Sequence, residues 1–206
     1  AGTIGDYAAI VVSKDSPINS MADLVAAYQA DVSGTAIGGG SVPGGMDHLV
    51  AAMVMKAAGE DPTAVKYIPY DAGGKAMAAL LSGEIAALST GFSEAVDLAN
   101  AGEVKIIGVT ADDRVAAYGD APTMQEQGID ATFVNWRGFF GAPGLPAEKV
   151  AAYQDALTKM YETPEWEAVR AQNGWVNIHN SGADFEAFLE KQEQVIGDLM
   201  KELGFL

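Results

Sequence analysis

Thr35-Ala36-Ile37-Gly38-Gly39-Gly40-Ser41-Val42-Pro43-Gly44-Gly45-Met46-Asp47-His48 leads from a strand-like run into a helix-like one through a glycine-rich turn. Such a turn leaves backbone N–H groups bare at a helix N-terminus. Partial positive charge gathers there and suits an anion. No charged side chain occurs from Val32 to Met46, in a chain whose formal net charge is -16. An anion can approach the turn without meeting a carboxylate before Asp47. The plain alternative is a tight turn that needs glycine only for its backbone angles.

The same unit recurs on both sides. Ala8–Val12 reads as a buried strand, and Ser20 as the N-cap of a helix over 21–30 with Asp23 in its first turn. Further strands are expected at 34–37, 65–68, 85–88 and 104–109, and helices at 45–58, 74–81 and 93–101, several stopped by glycine. Strands alternating with helices of this length imply βαβ units and a mostly parallel sheet. Ligands in such sheets bind beyond the carboxyl ends of the strands. Three loops fall there, at 38–45, 69–74 and 89–93, and they should lie side by side.

Composition narrows the function. With 206 residues, 49% hydrophobic and 19% charged, the chain can bury a real core. Acidic residues number 28 against 12 basic, which argues against a nucleic-acid partner. There is no cysteine and there are only two histidines, so no disulfide and no zinc site is expected. No apolar run reaches the length of a membrane span. The chain starts at Ala1 rather than Met and reads as a processed form or a fragment.

The candidate ligand residues are Gly40, Ser41, Gly44, Gly45 and His48 on the first loop, Tyr70 and Gly73 on the second, and Thr90 on the third. His48 can face a ligand or brace the loop from behind. Ser89 to Ser93 supplies hydroxyls, although Ser93 equally serves as a helix cap. Trp136 and Arg137, in the aromatic run 133–141, can line a cleft, lie between layers or, for Arg137, form an ion pair. The glycine loop is not a phosphate-binding Walker loop, because no Lys-Ser/Thr closes it. It is not a dinucleotide fingerprint either, because no acid ends the next strand. No catalytic set emerges, no cofactor is implied, and no enzyme activity is expected. After Thr110 the pattern changes. A short helix is expected at 123–127, a strand at 133–141, then only helices at 146–161, 164–173 and 184–203, with no sheet of their own to cover.

Gly34–Leu49, then Ile68-Pro69-Tyr70-Asp71-Ala72-Gly73-Gly74-Lys75-Ala76, then Leu80-Leu81-Ser82-Gly83-Glu84-Ile85 resemble, in order, the substrate-binding receptors of tripartite tricarboxylate transporters, the Bug or TctC-type proteins. Val109-Thr110 with Arg114, Ala121-Pro122-Thr123 with Glu126 and Gly128, and Trp136-Arg137-Gly138 with Ala142-Pro143-Gly144-Leu145-Pro146 continue the match.

The resemblance implies an α/β, periplasmic-binding-protein-like (type II) two-domain fold that closes like a flytrap on a small organic carboxylate. It implies a periplasmic, bacterial protein whose partners are that carboxylate and membrane transporter subunits, with no nucleic acid and no metal. In the family a carboxylate is held between two strand-to-helix loops. One corresponds to 38–48 here, with 42–45 longer than usual. Nothing here matches the other. On this reading residues 4–132 are the complete domain 2, and residues 133–206 are the returning strand and C-terminal helices of domain 1, whose N-terminal part is absent. Two alternatives keep the same loops: an α/β enzyme acting on an anionic metabolite, and a ligand-sensing domain of binding-protein type.

Overall fold

Ala8-Ala9-Ile10-Val11-Val12 is apolar on both faces, as a strand covered on both sides must be, and all five residues are buried. In the computed structural model, which describes residues 1–206, they form the second half of β1 (Gly2–Ser13). There follow α1 (Met21–Ala30), β2 (Ile37–Gly39), α2 (Met46–Ala57), β3 (Tyr67–Pro69), α3 (Gly73–Leu81), β4 (Ala87–Gly91), α4 (Phe92–Asn100), β5 (Val104–Val109), β6 (Val134–Gly138), α5 (Ala147–Tyr161), α6 (Pro164–Asn173), β7 (Val176–Asn180) and α7 (Ala183–Glu202). Ser20 caps α1 as expected, its hydroxyl accepting from the Asp23 N–H at 3.1 Å.

The main sheet runs β3-β2-β4-β1-β5. β2 is parallel to β3 and β4, whereas β1 is antiparallel to both β4 and β5. Four strands therefore share one direction and β1 opposes them, so the sheet is mixed. One face packs on α1 and α2 through Met21, Leu24, Val50 and Val54. The other packs on α3 and α4 through Leu80, Phe92 and Val96.

The reversed direction of β1 has an architectural result. Its N-terminal half points past the carboxyl ends of β2 to β5, since Ala8 pairs with the last residue of β4, Gly91. That half forms a second sheet, in which Gly2–Tyr7 pairs with β6 and Gly2–Gly5 with β7, both antiparallel. The second sheet thus stands over the edge where a ligand is expected.

Two differences from the sequence reading stem from this. Strand β1 begins six residues before Ala8, through Gly2 and Gly5, which are poor strand formers. Gly5 is there because β6 and β7 crowd in on either side: a Cβ would collide with Val134 and sit 2.8 Å from Val176. Strand β7 was not expected at all, because its Val-Asn-Ile-His-Asn run has few β-formers.

The C-terminal helices bury little. Neither α5 nor α6 has a buried residue, and α7 has only Phe185. Phe139 (64% exposed), Phe140 (68%) and Tyr153 (60%) lie open. Past α7 the chain returns to α2, where Leu203 packs against Leu49 and Ala52.

Candidate functional site

Between the carboxyl edge of the main sheet and strand β6 lies a polar cavity of about 190 Å³. The three expected loops meet there. Gly40 and Ser41 come from the turn after β2, Gly73 from the start of α3, and Gly91 and Glu94 from the β4–α4 junction. Gly40 presses against the Ala72–Gly73 peptide so closely that any Cβ would collide with backbone. Asp47 and Met46 complete this wall, and Asn135 and Arg137 of β6 form the other.

None of the three helices that open here has a side-chain cap at its own N-cap residue, which is Gly45, Ala72 or Gly91. Instead α2 is met by a hydroxyl, and α3 and α4 by carboxylates of the chain itself. At α2, the Ser41 hydroxyl accepts the Asp47 N–H at 3.4 Å and donates to the Asp47 carboxylate at 2.9 Å. At α4, Asp6 of β1 accepts the Ser93 N–H at 3.2 Å and the Ser93 hydroxyl at 2.7 Å. At α3, the Glu94 carboxylate lies where a Cβ on Gly73 would be, and its Oε2 accepts the Thr90 hydroxyl at 2.6 Å.

The buried acids are perturbed accordingly. Burial pushes the Asp6 carboxyl above the usual range. The Ser93 hydrogen bonds and the Arg137 charge oppose this, and Glu94 adds to it. Burial also raises Asp47, against the Ser41 hydroxyl and the Gly40 and Ser41 backbone, with Glu94 again adding to the rise. The donors of the glycine loop are thus turned on Asp47 itself.

Arg137 is the one cation at the cavity. Its guanidinium joins none of the ion pairs of the structure. Alternation along β6 puts Asn135 and Arg137 on the cavity side. Val134 and Trp136 line a separate apolar cavity of about 380 Å³ under α7.

Of the residues chosen from sequence, Gly40, Ser41 and Gly73 reach the cavity. Thr90 stands behind it and anchors Glu94. Gly44 and Gly45 do not line it. Gly44 has a positive φ of 81° and donates its N–H to His48 Nδ1 at 3.0 Å. His48 braces the loop from behind, stacked on Tyr67 at 4.4 Å and edge-on to Phe205 at 4.7 Å. Tyr70 points away and donates to Glu84 at 2.8 Å. Trp136 packs edge-on against Phe185 and Phe188.

The sequence reading missed Asp6, Asn135 and Glu94. The signal for Asn135 was available: in Val134-Asn135-Trp136-Arg137 the polar residues alternate with the apolar ones. The Ser41 hydroxyl donates to Asp47, and His48 accepts the Gly44 N–H.

Residues 4–205 match the tripartite tricarboxylate transporter family receptor. The chain belongs to this family. Among curated relatives, a UPF0065 protein of Bordetella pertussis is 26% identical over 197 residues, 95% of this chain. The chain spans 59% of that relative's length. Solved structures share the fold. The periplasmic binding protein BugD superposes with a TM-score of 0.87 at 23% identity, over 98% of this chain and 68% of its own. An R. palustris protein, Rpa4515, solved with adipate, gives 0.89 at 19% identity, over 98% and 67%. No helix of the chain is long and apolar enough to cross a membrane.

Proposed function

We propose that this protein is an extracytoplasmic, periplasmic receptor that captures a small organic carboxylate and delivers it to the membrane subunits of a tripartite transporter. The observation that carries this is the unpaired Arg137 on one wall of a polar cavity, opposite three strand-to-helix turns. A guanidinium recognises a carboxylate through paired N–H donors. Asn135 offers a further amide beside it. Family membership supports a receptor, and the adipate in Rpa4515 supports the carboxylate class. The protein performs no chemistry on its ligand. Binding replaces water around the carboxylate with fixed donors, and the second sheet closes over it.

Calorimetric titration with a panel of mono-, di- and tricarboxylates tests this. At least one acid should bind, and Arg137→Ala should weaken it by about ten- to a hundredfold, the range for losing a charge-assisted pair. Binding that ignores Arg137→Ala would place the ligand elsewhere.

A further inference from the structure

We propose that Glu94 sets the selectivity of this cavity, favouring carboxylates that also carry a protonated amine over plain carboxylates. This rests on the carboxylate-receptor reading above and adds to it the class of acid.

The argument is one of opposed charges that do not meet. Arg137 of β6 and Glu94 of α4 line the same small cavity from opposite walls. Neither takes part in any ion pair, with the other or with anything else. Two opposite charges held apart across a space of about 190 Å³ match a ligand with a negative group at one end and a positive group at the other.

The surrounding charges point the same way. Asp47 also lines the cavity, so its wall carries two carboxylates against one guanidinium. Asp6 lies directly behind, against Gly91. The first turns of α3 and α4, which would otherwise draw in a second anionic group, already face Glu94 and Asp6. A plain dianion can place one carboxylate on Arg137, and its other end then meets Glu94 and Asp47. An ammonium at that position meets an acceptor instead. Glu94 Oε2 accepts from Thr90, while Oε1 has no hydrogen-bond partner and is free to accept. Like-charge contact in a small cleft acts mainly as discrimination against the wrong ligand.

The test is calorimetry at low salt and neutral pH with two matched pairs, succinate against aspartate and glutarate against glutamate, on the wild-type protein and on Glu94→Gln. Gln keeps an acceptor for the Thr90 hydroxyl, and an unchanged melting temperature confirms that the fold is intact. In the wild type the amino member of at least one pair should bind about tenfold or more tighter than its plain partner. Glu94→Gln should shrink that ratio by about tenfold, through weaker binding of the amino acid, tighter binding of the plain acid, or both. Plain acids that bind as well as their amino counterparts in both pairs, or a ratio untouched by Glu94→Gln, overturn the role of Glu94 and leave the carboxylate receptor standing. If no carboxylate of either kind binds at millimolar concentration, the carboxylate reading falls and this inference falls with it.

Discussion

Asp6 and Ser93, 87 residues apart in sequence, are joined twice, by the Ser93 N–H and by its hydroxyl. One residue of β1 thereby caps α4, and it does so from a fully buried position. Burial raises the Asp6 carboxyl above its ordinary 3.8, so the folded state holds this proton more tightly than the unfolded one. Stability from this group must therefore fall as pH rises from about 4 to the raised value, then level off. The exposed acids Asp23, Asp31 and Asp61 are shifted downward, and their contribution is lost only below that window. Thermal melts of Asp6→Asn and wild type should show a difference that grows with pH above 4 and then stays constant. A pH-independent difference would refute the assignment. Asp6→Ala should cost about 1–3 kcal/mol, because the Ser93 donors lose their partner.

His48 titrates with the opposite sign. Burial lowers it below 6.5, and the neutral ring accepts the Gly44 N–H. Its contribution is complete above pH 6.5 and is lost as pH falls through the lowered value. His48→Gln keeps an acceptor and cannot titrate. Melts between pH 7 and 5 should show a smaller loss of stability in the variant than in the wild type.

Gly40 and Gly74 make a matched pair. A methyl group on Gly40 meets the backbone of Ala72 and Gly73, which cannot step aside, whereas one on Gly74 meets nothing within 4 Å. Gly40→Ala should destabilise by about 1–3 kcal/mol and weaken ligand binding, because α3 is pushed from the cavity. Gly74→Ala, inside α3, should be neutral or stabilising by up to about 1 kcal/mol. Chemical denaturation of both variants measures the contrast.

The exposed aromatic surface has its own signature. Phe139, Phe140 and Tyr153 border one apolar groove beside α5. A patch of this kind promotes association. Phe140→Ser with Tyr153→Ser should lower the sedimentation-measured association of this chain without changing its melting temperature, since neither residue is buried. Leu203→Ala, by contrast, empties a fully buried site against α2 and should cost about 2–4 kcal/mol.

The alternation of strands and helices up to Val109 was legible because each element carries its own period, and α2, α3 and α4 each end at a glycine, Gly59, Gly83 and Gly102. The carboxyl edge, and three of the residues on it, followed from that order. The direction of β1 was not legible: an all-apolar strand fits a sheet either way, and only its pairing with β4 and β5 decides. The carboxylates at the helix starts were missed for a related reason. Asp6 and Glu94 reach their positions through tertiary contacts, Asp6 across 87 residues of sequence, and no local pattern marks them. Trp136 drew attention as a large aromatic, yet strand alternation sends it away from the wall that Arg137 lines. Tyr70 sits beside the second loop in sequence, but its hydroxyl is spent on Glu84.

Strand β1 belongs to two sheets along one unbroken backbone, the second sheet through Gly2–Tyr7 and the main sheet through Ala8–Ser13. It works as a torsion bar. Rotating one sheet against the other twists the few peptides around Tyr7, and Asp6, at that point, is bolted to the first turn of α4. Strain from such a rotation is therefore delivered to the helix that carries Glu94, so the geometry of the ligand wall and the angle between the sheets cannot change independently.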